Sequence, residues 1–275
     1  MDRRLRPLSR LACAGALATL PAAFVPLPGP VRPAPSVAAG VRQDREAEVA
    51  ASYRKLADAR DEAALAAVWR EHPDLVLVTI DQDLEGSLAL REQSATPDEA
   101  AVAAMHARAL FGARAAVAAG LHPILADYAA SFTGWDAAQQ QQFRAGQQAF
   151  GQARAAAKGG QHEQALAAAN ECAALAEPLG DWWGTAMGFS AAGQALAALG
   201  RHEEALVALG RARTLHHDLG LSGSEYGNLK EMVKAAQSLG RTVRVTELAR
   251  QGAVLGRALG DQDGAAELDE LARSK

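Results

Sequence analysis

The feature that most constrains this chain is a stretch between positions 161 and 261 that repeats itself every 40 residues. Three segments share one pattern: QHEQALAAANECAALAEPLGD from Gln161, RHEEALVALGRARTLHHDLGL from Arg201, and RTVRVTELARQGAVLGRALGD from Arg241. Glycines divide each period into two halves of 20 residues, at Gly160, Gly180, Gly200, Gly220, Gly240 and Gly260. A period of this length with two helix-length halves is typical of an array of helical hairpins. The repeat therefore predicts an all-α, solenoid-like fold, and it names no ligand.

Apolar spacing within the repeats predicts about three pairs of helices, each with a first (A) and a second (B) helix. The predicted pairs are 136–158 with 161–179, 182–199 with 202–219, and 222–239 with 242–259. A last segment, 263–273, is acidic on one side and is expected to cap the open end of the array. Asp181 stands one residue before its helix, where an N-cap belongs. Residues 135–275 thus form the predicted array.

Residues 44–134 are predicted to form a separate N-terminal α-helical domain that does not follow the 40-residue period. A first helix is expected over residues 46–59, and Thr96-Pro97 is expected to cap a long helix that ends at Gly120. Between them, four apolar side chains share one helical stripe: Leu77, Ile80, Leu84 and Leu88.

Residues 1–43 have the composition of a cleavable signal followed by a proline-rich linker. No acidic residue occurs between Arg3 and Gln43, and four arginines precede the apolar run Leu11–Val25. Prolines keep the uninterrupted apolar length well below the roughly 20 residues of a membrane span. The segment predicts export to the periplasm or the extracellular space, with an organellar transit peptide as the alternative.

Composition limits both the core and the partners. The net charge is -4 and the pI is near 6.0, which argues against the broad basic surface of a nucleic-acid-binding protein. Hydrophobic residues make up 49% of the chain but aromatic residues only 5%, so alanine supplies much of the apolar content. We therefore expect a thin core of many small contacts, in which Cys172 is a small packing residue.

The middle pair carries its small and large residues in a recognisable order, with Gly193, Ala205, Leu209 and Ala212 at its key positions. This pattern, within GTAMGFSAAGQALAALGRHEEALVALGRARTLHHDLG, resembles the tetratricopeptide repeat in a 40-residue form. Matching small residues in the flanking copies are Ala153, Ala165, Cys172 and Gly252. The third pair departs from the pattern because Val233 and Val245 replace small residues.

The resemblance implies a superhelix whose concave face is lined by the A helices and binds an extended peptide or a partner helix. Carried over by position, that face presents Gln147, Phe150, Arg154, Met187, Ser190, Gln194, Lys230, Lys234 and Gln237. The sequence thus predicts a non-catalytic protein-interaction module or scaffold that uses no cofactor, binds no nucleic acid and has no stable membrane span. An alternative is a subunit that recruits a separate enzyme or regulator.

Two lysines on this face have an alternative interpretation. Lys230 and Lys234 stand where co-chaperone members of the family grip the terminal carboxylate of a peptide. Phe150 and Ala191, however, occupy positions where that clamp has a cation and an asparagine. A solvated lysine pair is the other interpretation.

The segment DQDLEGSLALRE suggests a second class of function, a calcium or small-ligand sensor. Its oxygen ligands would be Asp81, Asp83, Glu85 and Glu92, in the order of an EF-hand loop. The stripe formed by Ile80, Leu84 and Leu88 runs through the same segment and favours an acid-rich helix instead.

Histidines show no metal-ligand spacing, and His216 and His217 are predicted to be solvated groups at a helix end. We find no phosphate-binding loop and no nucleophile elbow. The sequence therefore predicts no catalytic residues.

Overall fold

The structure, a computed structural model, describes residues 37–273, and side chains from Gln43 onward. Residues 41–273 belong to one compact unit. The predicted signal lies outside the described residues, so export stays a prediction. In the described part of the chain, no helix is both long and apolar enough to cross a membrane.

Residues 37–273 form twelve α-helices and no strand. The helices are α1 (Val37–Asp58), α2 (Glu62–Glu71), α3 (Val76–Gln93), α4 (Glu99–Ala118), α5 (Ile124–Gly134), α6 (Ala137–Lys158), α7 (His162–Ala176), α8 (Trp182–Ala198), α9 (His202–Asp218), α10 (Ser222–Ser238), α11 (Thr242–Ala258) and α12 (Gln262–Arg273). Short 3₁₀ turns over Pro73–Leu75 and Glu177–Leu179 precede α3 and follow α7. The predicted all-α, helical-hairpin solenoid is confirmed.

Glycines end the helices of the array as the period predicts. Gly160 has a φ of 71° and Gly200 a φ of 75°, in the left-handed region where glycine has no steric penalty. Arg60 takes a φ of 57° at the end of α1, so one turn of the same kind forms without a glycine. The side-chain oxygen of Asp181 accepts a hydrogen bond from the Gly184 N–H at 2.8 Å and caps α8 as expected.

Two boundaries in the N-terminal part differ from the sequence prediction. Helix α1 begins at Val37 rather than near residue 46, so the end of the predicted linker is helical. Helix α4 is capped by Asp98, whose side chain accepts from the N–H groups of Ala100 and Ala101, and not by Thr96. Aspartate is as good an N-cap as serine and better than threonine, which explains the shift of two residues.

The core consists of three clusters of different character. Large side chains such as Tyr53, Trp69 and Phe132 dominate the first, which also includes Leu179 and Leu219. This cluster therefore joins the first five helices to the ends of α7 and α9, across the predicted boundary at residue 134.

The second core cluster, between α6 and α9, is formed by eight alanines and two leucines, as the composition predicts. Leucines, valines, three alanines, Tyr226 and Met232 form the third, around α10 to α12.

Successive helices pack as neighbours from α6 to α12, which is the pattern of a helical repeat array. The A helices also contact one another, α6 with α8 and α8 with α10. These contacts bring the A-helix side chains of consecutive repeats onto one continuous face.

Candidate functional site

The nine residues assigned to a concave face lie on the three A helices. All of them are exposed or partly buried: Gln147, Phe150, Arg154, Met187, Ser190, Gln194, Lys230, Lys234 and Gln237. Several are engaged within the chain. Gln147 donates to Glu85 of α3 at 2.6 Å, and the Arg154 guanidinium lies 5.9 Å from the centre of the Phe150 ring.

Both lysines on α10 have acidic neighbours. The Lys234 ammonium donates to Glu231 at 2.8 Å. The Lys230 ammonium lies 3.9 Å from Asp261 Oδ2 and 4.4 Å from the centre of the Tyr226 ring. A peptide carboxylate at this position would compete with the chain's own carboxylates for both cations.

A buried polar chain links α8, α9 and α10. Ser190 Oγ donates to Asn228 Oδ1 at 2.7 Å, and the Asn228 amide nitrogen lies 2.8 Å from Nδ1 of His216. His216 is only 3% exposed, and its burial lowers the pKa to about 4. The imidazole is therefore neutral at physiological pH, and its Nδ1 accepts from Asn228. The prediction that His216 is a solvated capping group is wrong, because α10 covers it; His217 is exposed.

A cavity of about 300 Å³ lies where α3 and α5 meet the first repeats of the array. Its lining combines aromatic, sulfur-containing and acidic side chains with amides and two helical glycines: Asp81, Glu85, Tyr128, Phe143, Gly146, Gln147, Phe150, Cys172, Asp181, Trp183, Gly184 and Met187. Three of these, Gln147, Phe150 and Met187, belong to the predicted concave face. An apolar pocket with a few convergent polar groups is the common form of a ligand site.

Two aspartates in the cavity wall have one hydrogen-bonded and one unpaired carboxylate oxygen each. Tyr128 donates to Oδ1 of Asp81 at 2.6 Å, and the Gly184 N–H donates to Oδ1 of Asp181. The Oδ2 atoms of both accept no hydrogen bond from the part of the chain that the structure describes, and neither Oδ2 is completely buried. Desolvation by burial raises the pKa of Asp81 to about 7 and that of Asp181 to about 6. Both groups therefore titrate near neutral pH.

Arg144, whose positive charge lowers the pKa of Asp81, is shared with other acids. Arg144 on α6 donates to Glu85 at 2.7 Å and to Glu92 at 2.7 and 3.1 Å. Glu85, in turn, raises the pKa of both aspartates by its negative charge. The cavity therefore holds more carboxylate than cationic charge, because the charge of Arg144 is already divided between two glutamates.

The EF-hand-like segment is the middle of α3, a continuous helix rather than a loop. Its four carboxylates consequently point to different partners. Asp83 is buried against Arg108 and Tyr53, while Asp81 bonds to Tyr128 and both glutamates bond to Arg144. Among residues 43–273, no group of three or more acidic, histidine or cysteine side chains has an arrangement that could hold a metal ion.

Cys172 lines the cavity but has the properties of a packing residue. It is 2% exposed, and its Sγ lies 3.5 Å from the carbonyl oxygen of Gly184. Burial, together with the charge of Asp181, raises the thiol pKa to about 11. The thiol therefore stays protonated at neutral pH and is a poor nucleophile.

We expect the Asp81→Asn variant to be more stable than the wild type at neutral and basic pH. A carboxyl whose pKa rises on folding binds more protons in the folded state, so stability falls as pH increases from the ordinary value of 3.8 to about 7. Asparagine keeps the acceptor for Tyr128 without the charge. Urea unfolding should show a gain on the order of 2 kcal/mol above this window. Below the window the gain should vanish, and an equal gain at every pH would contradict the assignment.

Neither the protein-family models nor the curated proteins that were compared match this sequence. Sequence reasoning found three of the cavity residues through the repeat register and two, Asp81 and Glu85, through the calcium-like motif. It missed Tyr128, Phe143 and the unpaired oxygen of Asp181, because nothing in the sequence relates α5 to the first repeats.

Proposed function

We propose that this chain is a tetratricopeptide-like interaction module that binds an extended segment of a partner protein along the A helices. The observation that carries the proposal is the cavity between α3, α5 and the first repeats. It opens on the face that the repeat register assigns to partner binding, and Phe150 and Met187 supply apolar contact area there. Large, partly buried apolar side chains of this kind contribute most of the affinity in peptide complexes.

A role as an interaction module also agrees with the chemistry of the buried reactive groups. The Cys172 thiol is protonated, and the His216 imidazole is sealed by Asn228. Neither has the base or the access that a nucleophile requires. We therefore propose a non-catalytic role.

Selection from a random-peptide phage library tests the proposal. Peptides selected on the wild-type protein are expected to bind the Phe150→Ala variant at least about tenfold more weakly, because a buried aromatic contact is lost. Fluorescence anisotropy with labelled peptides measures the two affinities.

Val207→Ala is the matched control, because Val207 is an apolar residue of the B helix α9 and is 67% exposed. Its substitution should leave affinity unchanged. Peptides that depend on Val207 and not on Phe150 would show that binding uses the other face, and a library without binders would argue against peptide recognition.

A further inference from the structure

Two aspartates line the cavity, and neither forms an ion pair with a cation of the described residues. Asp181 is 5% exposed. Its Oδ1 accepts the hydrogen bond from the Gly184 N–H that caps α8, and its Oδ2 accepts no hydrogen bond from the described residues. Asp81 is only partly buried but has the same bonding pattern, with Oδ1 bonded to Tyr128 and Oδ2 without a hydrogen-bond donor among the described residues. A buried carboxylate without a cationic partner is costly, so a ligand that brings a positive charge gains from both groups.

The walls of the cavity also suit a cation on an apolar stem. Phe143, Phe150, Trp183 and Met187 line it, and aromatic rings attract ammonium groups through their faces. Methylene groups can pack against the same rings while the charged end reaches the carboxylates. Its volume, about 300 Å³, is large enough for one long side chain.

The unbonded carboxylate oxygens of the two aspartates favour a lysine over an arginine side chain as the ligand. A guanidinium group prefers one carboxylate with both oxygens available, and each aspartate here has only one. An ammonium group carries three N–H donors that can be directed to separate acceptors. Asp81 and Asp181 line the same cavity, and the charge of Asp181 raises the pKa of Asp81, so one ammonium can act on both carboxylates.

We propose that the cavity binds the side-chain ammonium group of a lysine in the partner peptide. This inference rests on the proposed function and names the anchor residue of the peptide. A metal ion fits less well, because residues 43–273 bring no third metal-ligating side chain into a suitable arrangement. The titratable groups that face the cavity are Asp81, Glu85, Asp181, Tyr128, Cys172 and, through Glu85, Arg144.

Capped model peptides test the proposal by NMR titration of the full chain. The probe is acetyl-Gly-Lys-Gly-amide. Three comparison peptides replace the lysine. The first has norleucine, which keeps the stem without the charge, and the second has arginine. The third has norleucine and a free N-terminal amine. We expect the lysine peptide to bind and to shift the Trp183 indole signal. The norleucine peptide should bind about tenfold more weakly or not at all, because the charge is missing. Equal binding of the norleucine, arginine or free-amine peptide would overturn the assignment to a lysine side chain.

The Asp81→Asn/Asp181→Asn variant removes both charges while keeping the acceptor for Tyr128 and the cap of α8. We expect it to lose at least about tenfold in affinity for the lysine peptide. The matched control is Glu62→Gln/Asp127→Asn, which removes two exposed charges from α2 and α5 and should bind as the wild type does. Equal losses in both variants would reduce the effect to general electrostatics and overturn the proposal.

Affinity should also rise with pH as the two aspartates ionise, and a pH-independent affinity would argue against them as the binding groups. Displacement of the lysine peptide by calcium chloride alone would favour a metal site and overturn the proposal. Some library peptides can contain no lysine and still bind through Phe150. If they bind the Asp81→Asn/Asp181→Asn variant as tightly as the wild type, this inference is refuted. That result would leave peptide binding itself intact.

Discussion

The Gly188→Ala variant is expected to lose about 3 kcal/mol of stability, because α7 and α8 approach each other closely at this residue. A Cβ atom on Gly188 would lie 2.7 Å from the backbone nitrogen of Ala173 and 3.0 Å from the carbonyl oxygen of Ala169. Backbone atoms cannot rotate away as the end of a side chain can, so the two helices would have to separate. The separation would spread through the alanine cluster, where short side chains cannot fill the gap. Urea unfolding followed by far-UV circular dichroism measures the loss as a lower midpoint.

The control for this prediction is Gly227→Ala, in the middle of α10. Nothing lies within 4 Å of a Cβ atom placed there, so the substitution adds helix propensity without a clash. It should raise stability by about 1 kcal/mol at most. Equal midpoints for the two variants would show that α7 and α8 are not held as closely as described.

The Arg108→Met variant is expected to lose about 3–5 kcal/mol, because it leaves the buried carboxylate of Asp83 without a cation. Arg108 Nε and one terminal nitrogen donate to the two Asp83 oxygens at 2.8 and 2.7 Å, and Tyr53 donates to the same carboxylate at 2.7 Å. The Asp83 side chain is 7% exposed, so water cannot replace the guanidinium. This pair joins α3 to α4, and Tyr53 adds α1. Thermal or urea unfolding at neutral pH measures the change.

Two further variants separate the buried pair from a general effect of charge. Asp83→Asn combined with Arg108→Met removes both charges and keeps an acceptor for Tyr53, so it should recover more than half of the loss. Arg45→Met removes the exposed pair of Arg45 with Asp74 and should cost about 1 kcal/mol or less. A loss in Arg45→Met as large as that in Arg108→Met would refute the role assigned to burial.

The helices of the array were predictable because each one is bounded by a residue with a strong backbone preference. Glycine at every twentieth position ends a helix in the left-handed region, and this signal is local. The N-terminal boundaries were less predictable because caps compete there: Asp98 caps α4 where Thr96 was also available. Gly188 shows a further limit. The repeat register pointed to Gly193, where a Cβ atom would meet the side chain of Leu209, but it gave no sign of the closer approach of backbone atoms at Gly188.

The third pair shows why departures from a repeat pattern are hard to interpret. Val233 and Val245 stand where the resemblance has small residues, yet they are 2% and 7% exposed. The surrounding cluster contains larger side chains than the alanine cluster does, so the added volume is packed rather than excluded. Repeat register therefore predicted which positions are buried and not how much volume each would hold.

The cavity could be predicted only in part, since it depends on contacts between distant parts of the chain. Asp81 and Asp181 stand far apart in the sequence and on different elements, and each has a local explanation, as part of a motif or as a helix cap. Only the packing of α3 and α5 on the first repeats brings them to one cavity. Gln147 illustrates the same point, because its hydrogen bond to Glu85 crosses the predicted domain boundary.

The first core cluster has a mechanical consequence for the array. Helical solenoids usually behave as springs, because each repeat touches only its neighbours and the pitch can change at every junction. Here Leu179 and Leu219, at the ends of the first two B helices, are buried in one cluster with α1 to α5. We therefore expect these two junctions to be stiffer than the part of the array formed by α10, α11 and α12. We expect a partner that pulls on the C-terminal end to stretch the last repeat before it deforms the cavity.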